Sequence, residues 1–557
     1  MMKKILLTLL ICTVAFNLNA QVSNQTTPPS WAFNLKTQPT AEIMPSFDLQ
    51  SMIAEDAIEA TQVIKKPYRI GKNIDVEFDL FNSGQWTELE NGDRIWRLNV
   101  VSHGARTMNF ILDRYNLPEG AEMYIYNSDH TDKIGPYTHK ENQEDGVLGT
   151  WIVYGDNVIV EYYEPASVRG LGRISINEVV HGYRGFGEAE ESFLKLNESA
   201  ACNVDVMCNP NQGSTNGQDW TTIRNNYRHA VARILINISG QTFLCTGTLV
   251  NNVREDGTPY FLTADHCLGN ANDGAGASYQ SNTWSFGFDW YTNTPDCATN
   301  ANTVGAQNPT RVIAGATLRA NRGASDVALF ELNSTPPASW DLYYAGWSRA
   351  TSGVTSQLSI HHPSGDIMKL ARNDQSASFV TVSGVSCWNI ADWDYGVTEG
   401  GSSGGCLLNP QGQIIGQLLG GSAACSGTND NGSPDFYGRF NVSWNTGGTA
   451  ATQLKDWLDP DNTGAASYDG DYYSTLSTTE NQVLNFSVYP NPSQDIFNFD
   501  LTEEASYAVY NLSGKMIVSG TFSNNNNSVN LSGVANGVYF INVQTANGKA
   551  TAKLVKE

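Results

Sequence analysis

The sequence predicts an all-β fold made of three successive β-rich units. Residues 66–185 alternate apolar and polar side chains in stretches such as RIWRLNVVS and TWIVYGDNVIVEYY, which is the period of a half-buried strand. The middle of the chain carries short apolar strands, such as PYFLTA and DVALFEL, among Gly, Ser, Thr and Asn. At 557 residues the chain is too long for a single core.

The first 20 residues predict a secretory signal. Two lysines precede an apolar run of about ten residues, and a small-residue site ends at Ala20. A lipoprotein anchor at Cys12 is disfavoured because the bulky Ile11 precedes that cysteine. No other stretch approaches the ~18 apolar residues of a transmembrane helix, so we expect an exported protein without a transmembrane segment.

Composition divides the rest of the chain. A β domain over about 66–185 contains no cysteine and gives way to the polar segment GEAEESFLKLNESAA, which is typical of an exposed linker. The cysteine-bearing domain runs from 196 to 460, and a second linker covers 461–482. A β-rich unit over 483–557 ends the chain.

Charge and cysteine usage limit the ligands. The net charge of -23 argues against nucleic acid, whose phosphates would be repelled. All nine cysteines except Cys12 lie between Cys202 and Cys425, which in an exported domain predicts up to four disulfides. Zinc is the rival interpretation, but no C-x2-C pair occurs. We therefore expect neither a metal nor a cofactor.

The glycine-rich run G401-S-S-G-G405 holds the candidate nucleophile. Ser403 also fits the G-x-S-x-G pattern of the α/β-hydrolases, but that fold needs a histidine after the serine, and the last histidine here is His362. Upstream, His266 ends the strand PYFLTA and Asp326 precedes VALFEL. The order His, Asp, Ser is that of the chymotrypsin arrangement.

These three residue types supply the parts of nucleophilic catalysis. A serine hydroxyl needs a base to take its proton, and the base needs a carboxylate to fix its tautomer. The glycines around Ser403 let the N–H groups of Gly401 and Ser403 point at one spot, as an oxyanion hole requires. The sequence therefore predicts a triad of His266, Asp326 and Ser403.

Several motifs together resemble the trypsin-like serine proteases, and among them the secreted bacterial lysyl endopeptidases. They are ACNVDV, CTGTLVNN, YFLTADHC, SDVALFEL, IHHPSGD, GVTEGGSSGG, GQLLGG and DFYGRF, spread from about 202 to 460. The resemblance implies a chymotrypsin-like pair of six-stranded antiparallel barrels with the site between them. The region before it resembles the propeptide of the same enzymes, here residues 21–195.

The resemblance also implies a disulfide pattern. It pairs Cys202 with Cys425, Cys208 with Cys297 and Cys245 with Cys267. We expect the two remaining cysteines, Cys387 and Cys406, to pair with each other. Ser402 stands where trypsin has an aspartate before the nucleophile, so the trypsin activation switch is absent.

The resemblance places the specificity residues and the processing site as well. Val397 occupies the usual base of the substrate pocket and cannot bind a cation, whereas Asp435 matches the aspartate of lysyl endopeptidases, with Trp393 as an aromatic neighbour. These residues imply cleavage of protein or peptide substrates after basic residues, lysine foremost. Self-cleavage between Lys195 and Leu196 would release the propeptide.

The last unit, from Tyr489-Pro-Asn-Pro492 to the closing KLVK, resembles the type A C-terminal sorting domain of type IX secretion. This implies the type IX machinery as a partner and a protein that is extracellular or on the outer-membrane surface of a Bacteroidetes-like Gram-negative bacterium. We expect a monomer. Two alternatives remain open: a carbohydrate-binding or adhesive C-terminal module, and a protease-like domain that is catalytically silent and serves as a surface binding protein.

Overall fold

The structure is a computed structural model, and it describes most of the chain. The described residues are 26–35, 37–59, 61–63, 67–184, 199–269, 271–295, 297, 311–473, 482–483, 486–501, 505–511, 515–523, 527–545 and 548–557. The predicted signal and the predicted processing site at Lys195 and Leu196 lie outside them. The described residues up to Tyr473 form one compact unit, and those from Gln482 onward form a second.

The N-terminal part is a β-sandwich. Its elements are α1 (Pro29–Ala32), β1 (Ala41–Ile43), α2 (Leu49–Glu59), β2 (Tyr68–Asp79), β3 (Gln85–Glu88), β4 (Arg94–Val101), β5 (Thr107–Asn116), β6 (Glu122–Asn127), β7 (Lys133–Tyr137), β8 (Leu148–Gly149), β9 (Val153–Tyr154), β10 (Asn157–Glu164) and β11 (Arg173–Gly182), with 3₁₀ helices at His139–Glu141 and Ala166–Val168.

Two sheets enclose the sandwich core. One has the order β1-β4-β10-β6-β7, and the other the order β2-β11-β5-β8. Alternate residues of β10 face opposite sides of the sheet. Val158, Val160 and Tyr162 are buried in the sandwich core, whereas Ile159 belongs to a small cluster on the other face. The alternation read from the sequence is therefore the alternation of this sheet.

The central part carries the candidate site. Its elements are β12 (Val204–Asp205), α3 (Thr221–Tyr227), β13 (Val231–Ile238), β14 (Gln241–Val250), β15 (Tyr260–Thr263), β16 (Ser285–Phe288), β17 (Arg311–Ala314), β18 (Ala316–Arg322), β19 (Val327–Leu332), β20 (Tyr343–Tyr344), β21 (Gly346–Ser348), β22 (Gln357–His361), β23 (Lys369–Asn373), β24 (Ser378–Val382), β25 (Val385–Ile390), β26 (Cys406–Leu408), β27 (Gln413–Gly421), β28 (Cys425–Ser426), β29 (Asn429–Asp430), β30 (Asp435–Arg439), α4 (Phe440–Ser443), α5 (Lys455–Leu458), β31 (Ser467–Tyr468) and β32 (Asp471–Tyr472), with 3₁₀ helices at Asp265–Leu268, Gly276–Ser278, Gly323–Ser325, Ala338–Trp340, Pro363–Gly365 and Ala450–Thr452.

These strands form two antiparallel barrels. In the first, β13 pairs with β14, β14 with β15, β15 with β19 and β19 with β18, while β17, which continues into β18, returns through β16 to β13. The second has the order β23-β22-β26-β27-β30-β25, and a bridge between Arg372 and Tyr395 links its two ends. The predicted chymotrypsin-like, all-β fold class is confirmed.

The N-terminal sandwich joins the first barrel directly. Strand β2 pairs with the start of β14, so its sheet continues into the barrel. Apolar side chains of the barrel, among them Leu235, Leu244 and Trp290, are buried in the same core as those of the sandwich. The guanidinium of Arg233 lies between the rings of Trp151 and Trp290. The two parts therefore share one interior.

Three disulfides link the six cysteines that the resemblance pairs: Cys202 with Cys425, Cys208 with Cys297 and Cys245 with Cys267. The expected bond between Cys387 and Cys406 is wrong, because both are buried free thiols. Cys387 lies on β25 and Cys406 on β26, and β27 and β30 separate them. Strands lie about 4.8 Å apart, so three spacings exceed the reach of a disulfide.

The linker predicted from 461 also needs correction. Ser467 and Tyr468 pair with β21, and β32 pairs with β20. The ring of Tyr468 stacks on Trp347 in the core of the central part. Aromatic packing therefore holds residues 461–473 on the central part.

The C-terminal unit is a second small sandwich. Its strands are β33 (Gln482–Val483), β34 (Val488–Tyr489), β35 (Ile496–Phe499), β36 (Ala505–Asn511), β37 (Met516–Phe522), β38 (Ser528–Asn530), β39 (Gly537–Gln544) and β40 (Gly548–Lys556). A five-stranded sheet and a three-stranded sheet enclose a core that includes Phe497, Phe522 and Ile541. Among the described residues of the whole chain, none of the helices is long and apolar enough to cross a membrane.

Candidate active site

His266 and Asp326 meet because their strands are paired. His266 follows β15 in the 3₁₀ helix Asp265–Leu268, and Asp326 stands immediately before β19, the partner of β15. Asp326 has a left-handed backbone, with φ of 50°, at the turn that leads into β19. Its carboxylate accepts the His266 backbone N–H at 2.9 Å, and His266 Nδ1 lies 3.1 and 3.0 Å from its two oxygens.

This carboxylate changes the acidity of the imidazole. Burial alone would lower the pKa of His266, but the Asp326 charge and hydrogen bond, with a smaller contribution from Asp265, raise it above 6.5. The contact with Nδ1 leaves Nε2 as the atom that can accept a proton. Nε2 is shielded from solvent and has no hydrogen-bond partner among the described residues.

The glycine-rich loop of residues 400–405, called the nucleophile loop below, packs against β14. The backbone oxygen of Ser403 accepts the N–H of Thr246 at 2.8 Å, and Gly404 lies so close to Thr246 and Thr263 that a side chain there would overlap them. The Sγ of Cys267 lies 4.0 Å from the Ser403 oxygen. Ser403 is thus beside the residue that follows His266, and it is almost fully buried.

Ser402 has a different environment. Its hydroxyl lies 2.8 Å from Nδ1 of His361 and accepts the N–H of Glu399 at 3.2 Å, in a fully buried position. Burial lowers the pKa of His361 to about 3, so this imidazole is neutral. The buried hydrogen bonds of the Ser402 hydroxyl therefore stabilise the conformation of the loop.

The loop leaves two N–H groups for another acceptor. The N–H groups of Ser402, Gly404 and Gly405 donate to backbone oxygens within the protein. Among the described residues, the N–H groups of Gly401 and Ser403 have no acceptor. Gly401 has a φ of 92°, a conformation that favours glycine. These are the two donors that the sequence predicts for an oxyanion hole.

Asp435 lies behind the same loop. It is 1% exposed, and its Oδ2 accepts hydrogen bonds from Trp393 Nε1 at 2.8 Å and Thr398 Oγ1 at 2.6 Å. Val397 is buried among apolar side chains. The structure thus brings together Asp435 and Trp393, and it adds Thr398, which sequence reasoning missed because a threonine in GVTEGG carries no signal of its own.

Glu399 is a second residue that sequence reasoning missed. Its Oε1 accepts the N–H of Ala200 at 3.0 Å and Nδ2 of Asn203 at 2.8 Å, and its Oε2 accepts the Ser364 hydroxyl at 2.8 Å. Glu399 therefore ties the start of the central part to the nucleophile loop. The signal that could have pointed to it is Ser402, which stands where trypsin has an aspartate. Without that aspartate, another residue has to hold the start of the central part.

Fold and site together define a serine endopeptidase of the chymotrypsin-like class. Residues 196–438 match the family described as "Lysyl endopeptidase, C-terminal domain". A lysyl endopeptidase from Pseudomonas aeruginosa is 30% identical over 383 residues, which span 64% of this chain and 76% of that relative. The chain belongs to the lysyl endopeptidase family.

Residues 487–557 match the family described as "Secretion system C-terminal sorting domain", so the C-terminal unit is a type IX sorting domain. Among solved structures, the inactive form of Rv3671c from M. tuberculosis is 14% identical, covers 44% of this chain and 91% of that one, and has a TM-score of 0.25. The HtrA-type protease AlgW with a tripeptide is 13% identical, with coverages of 40% and 60% and a TM-score of 0.26. Likenesses this distant say nothing about activity.

The raised pKa of His266 predicts the pH dependence of hydrolysis. Only the neutral imidazole can take a proton, so kcat/KM of the released enzyme should rise with pH through a pKa above 6.5. Asp326→Asn removes the charge that raises this pKa, so the limb should move to lower pH while kcat falls by about 10⁴. Asp265→Asn, which removes the smaller contribution, should shift the limb less and retain most of the activity. If the rise of kcat/KM in Asp326→Asn occurs at the same pH as in the wild type, a group other than His266 controls it.

Proposed function

We propose that the protein is a secreted endopeptidase that cleaves after basic residues, lysine foremost, with His266, Asp326 and Ser403 as its triad. The observation that carries the proposal is the His266–Asp326 pair, with contacts of 3.1 and 3.0 Å, beside a nucleophile loop with two unused N–H donors. Family membership supports the same chemistry.

Each residue has a defined part in the reaction. Ser403 Oγ attacks the substrate carbonyl while His266 Nε2 takes its proton, and Asp326 stabilises the imidazolium that forms. The N–H groups of Gly401 and Ser403 stabilise the oxyanion, each donor contributing on the order of 3 kcal/mol. His266 then protonates the leaving amine, and water releases the acyl group from Ser403 by the reverse sequence.

Specificity rests on Asp435. A lysine or arginine side chain in a desolvated pocket needs an opposite charge, because an unpaired buried cation costs several kcal/mol. Trp393 and Thr398 both donate to one oxygen of Asp435, which fixes the carboxylate without neutralising it. The name of the curated relative favours lysine over arginine.

The protein is proposed to be made as a proenzyme. Residues 1–20 are the signal, 21–195 the propeptide and 196–460 the protease domain, extended by the packed segment to 473, with the sorting domain at 483–557. The type IX machinery would bring it to the cell surface or the medium. Cleavage between Lys195 and Leu196 fits the proposed specificity.

The nucleophile assignment predicts opposite outcomes for neighbouring serines. Ser403→Ala should abolish hydrolysis of lysyl peptides and labelling by a fluorophosphonate probe, because the attacking oxygen is gone. Ser402→Ala should keep labelling and hydrolysis within about tenfold, since that hydroxyl contacts only the loop and His361. The reverse pattern would assign the nucleophile to Ser402, and a wild-type enzyme that resists labelling after processing would mark a silent binding protein.

The pocket assignment predicts a selective loss. Asp435→Asn should lower kcat/KM on a lysyl peptide by at least about a hundredfold, or 2.7 kcal/mol, while a matched leucyl peptide changes little. Asp430→Asn in the same segment is the control, because that carboxylate caps a turn at the Gly432 N–H. Equal losses on lysyl, arginyl and leucyl peptides would instead show that Asp435 holds the fold.

The processing assignment predicts which protein accumulates. The Ser403→Ala protein, made in a protease-deficient host, should retain residues 21–195, and the wild type should begin at Leu196. Intact mass and N-terminal sequencing read both outcomes. A Ser403→Ala protein that begins at Leu196 would assign the cut to another protease.

A further inference from the structure

Among the described residues, only His266 donates hydrogen bonds to the carboxylate of Asp326, through its backbone N–H and Nδ1. A side chain that orients another group must itself be held, by packing or by hydrogen bonds. Since the carboxylate is bonded only to the histidine that it orients, its position depends on the backbone of Ser325 and Asp326. The placement of the imidazole therefore depends on what fixes this short stretch of backbone.

The backbone at Asp326 is held by its own turn and by a contact from the second barrel. Within the first barrel, the Asp326 N–H donates to the Gly323 oxygen at 3.0 Å, and the Asp326 oxygen accepts the Asp265 N–H at 3.1 Å. From β27 in the second barrel, Nε2 of Gln417 donates to the Ser325 oxygen at 2.8 Å and to the Asp326 oxygen at 2.9 Å. One side-chain amide thus links the second barrel to the acid of the proposed triad.

Gln417 is fully buried, and its two acceptors fix the orientation of its amide. An amide nitrogen carries two hydrogens, which match two carbonyl oxygens, whereas the amide oxygen would be repelled by them. Gly438, opposite Gln417 on β30, leaves room for this contact, because a Cβ there would overlap both Nε2 of Gln417 and the Ser325 oxygen. The second barrel is therefore open at the one place where the amide crosses to the first.

The next residue of the same strand holds the nucleophile loop. The oxygen of Leu418 accepts the Gly404 N–H at 2.9 Å, and the Leu418 N–H donates to the Gly405 oxygen at 2.9 Å. Gly404 directly follows Ser403. Two consecutive residues of β27 thus contact the two halves of the site, since Gln417 bonds the acid and Leu418 bonds the loop that carries the serine.

We propose that Gln417 is a positioning residue of the active site, which holds Asp326, and through it His266, at a fixed distance from the nucleophile loop. The base and the acid belong to the first barrel and the serine to the second, so a contact that crosses between the barrels at Asp326 limits their relative displacement. The proposal rests on the proposed function, because it takes His266, Asp326 and Ser403 as the reacting groups.

The first test replaces the amide with an apolar side chain of similar length. Gln417→Met removes both donors, so kcat on a lysyl peptide should fall about ten- to a hundredfold, the cost of a displacement on the order of 1 Å. Because Oε1 of Gln417 has no partner among the described residues, methionine loses no bond on that side. KM should stay within about twofold, since the amide bonds Ser325 and Asp326 and not the proposed pocket residues.

The matched control makes the same change on the same strand. Gln413 donates to Asp469 at 2.8 Å, in the segment that packs on the central part, so Gln413→Met should leave kcat and KM within about twofold. Variants that do not process themselves are processed by a tagged wild-type enzyme, which is then removed. The Ser403→Ala protein treated in the same way gives the background rate.

A second variant guards against a folding defect in Gln417→Met. Gln417→Glu keeps the size and shape of the side chain but turns a carboxylate oxygen toward the Ser325 and Asp326 oxygens, so kcat should fall at least as far. Proton NMR gives a readout that does not depend on turnover. A proton held between His266 Nδ1 and Asp326 is expected to resonate at low field, and this signal should shift or disappear in both Gln417 variants and persist in Gln413→Met.

A double-mutant cycle shows whether Gln417 acts through Asp326. In a protein that already carries Asp326→Asn, Gln417→Met should lower kcat by less than about threefold, because the charge that Gln417 positions is gone. A wild-type kcat in either Gln417 variant, a loss confined to KM, an unchanged low-field signal, or the full loss repeated in the Asp326→Asn protein would each overturn the inference. The proposed function fails separately, if Ser403→Ala or Asp326→Asn keeps the wild-type activity.

Discussion

The hydrogen bonding between His266 and Asp326 depends on one pair of strands. β15 and β19 are antiparallel neighbours, so the end of one meets the start of the other, and residues 60 positions apart become adjacent. Asp326 accepts both the backbone N–H and Nδ1 of His266, which fixes the position of the imidazole as well as its tautomer. A displacement of either strand would change the distance, the tautomer and the pKa together.

The second barrel must then deliver Ser403 to a site that the first barrel has already formed. Close backbone contact does this: the loop approaches β14 at Thr246, and only glycine fits at position 404. Glu399 and the neutral His361 hold the loop from the other side. Ser403, the proposed nucleophile, is therefore positioned by small residues and buried polar contacts, whereas the proposed base His266 and its partner Asp326 lie on the first barrel.

The sequence could predict the residues that lie in local motifs, but it could not predict the contacts that hold them in place. The residues of the proposed triad lie at strand ends and in short motifs, so His266, Asp326 and Ser403 could be predicted from the sequence, and the structure brings His266 and Asp326 into contact. Supporting contacts such as Glu399 to Ala200 depend on which segments the fold brings together, and no local pattern marks them. Cys387 and Cys406 illustrate the same limit, because an even count suggested a bond that two intervening strands prevent.

The shared interior of the sandwich and the first barrel constrains how such an enzyme is activated. Leu235, Leu244 and Trp290 belong to the barrel but are buried together with the N-terminal core, so separation would expose them at a cost of about 25 cal/mol per Å². A cut between residues 184 and 199 leaves this interface and the pairing of β2 with β14 intact, so we expect the two parts to stay associated after such a cut.

The N-terminal sandwich has no cysteine, whereas three disulfides cross-link the protease domain. Disulfides stabilise mainly by restricting the unfolded chain, typically by 2–4 kcal/mol each, so the two parts differ in their resistance to unfolding and proteolysis.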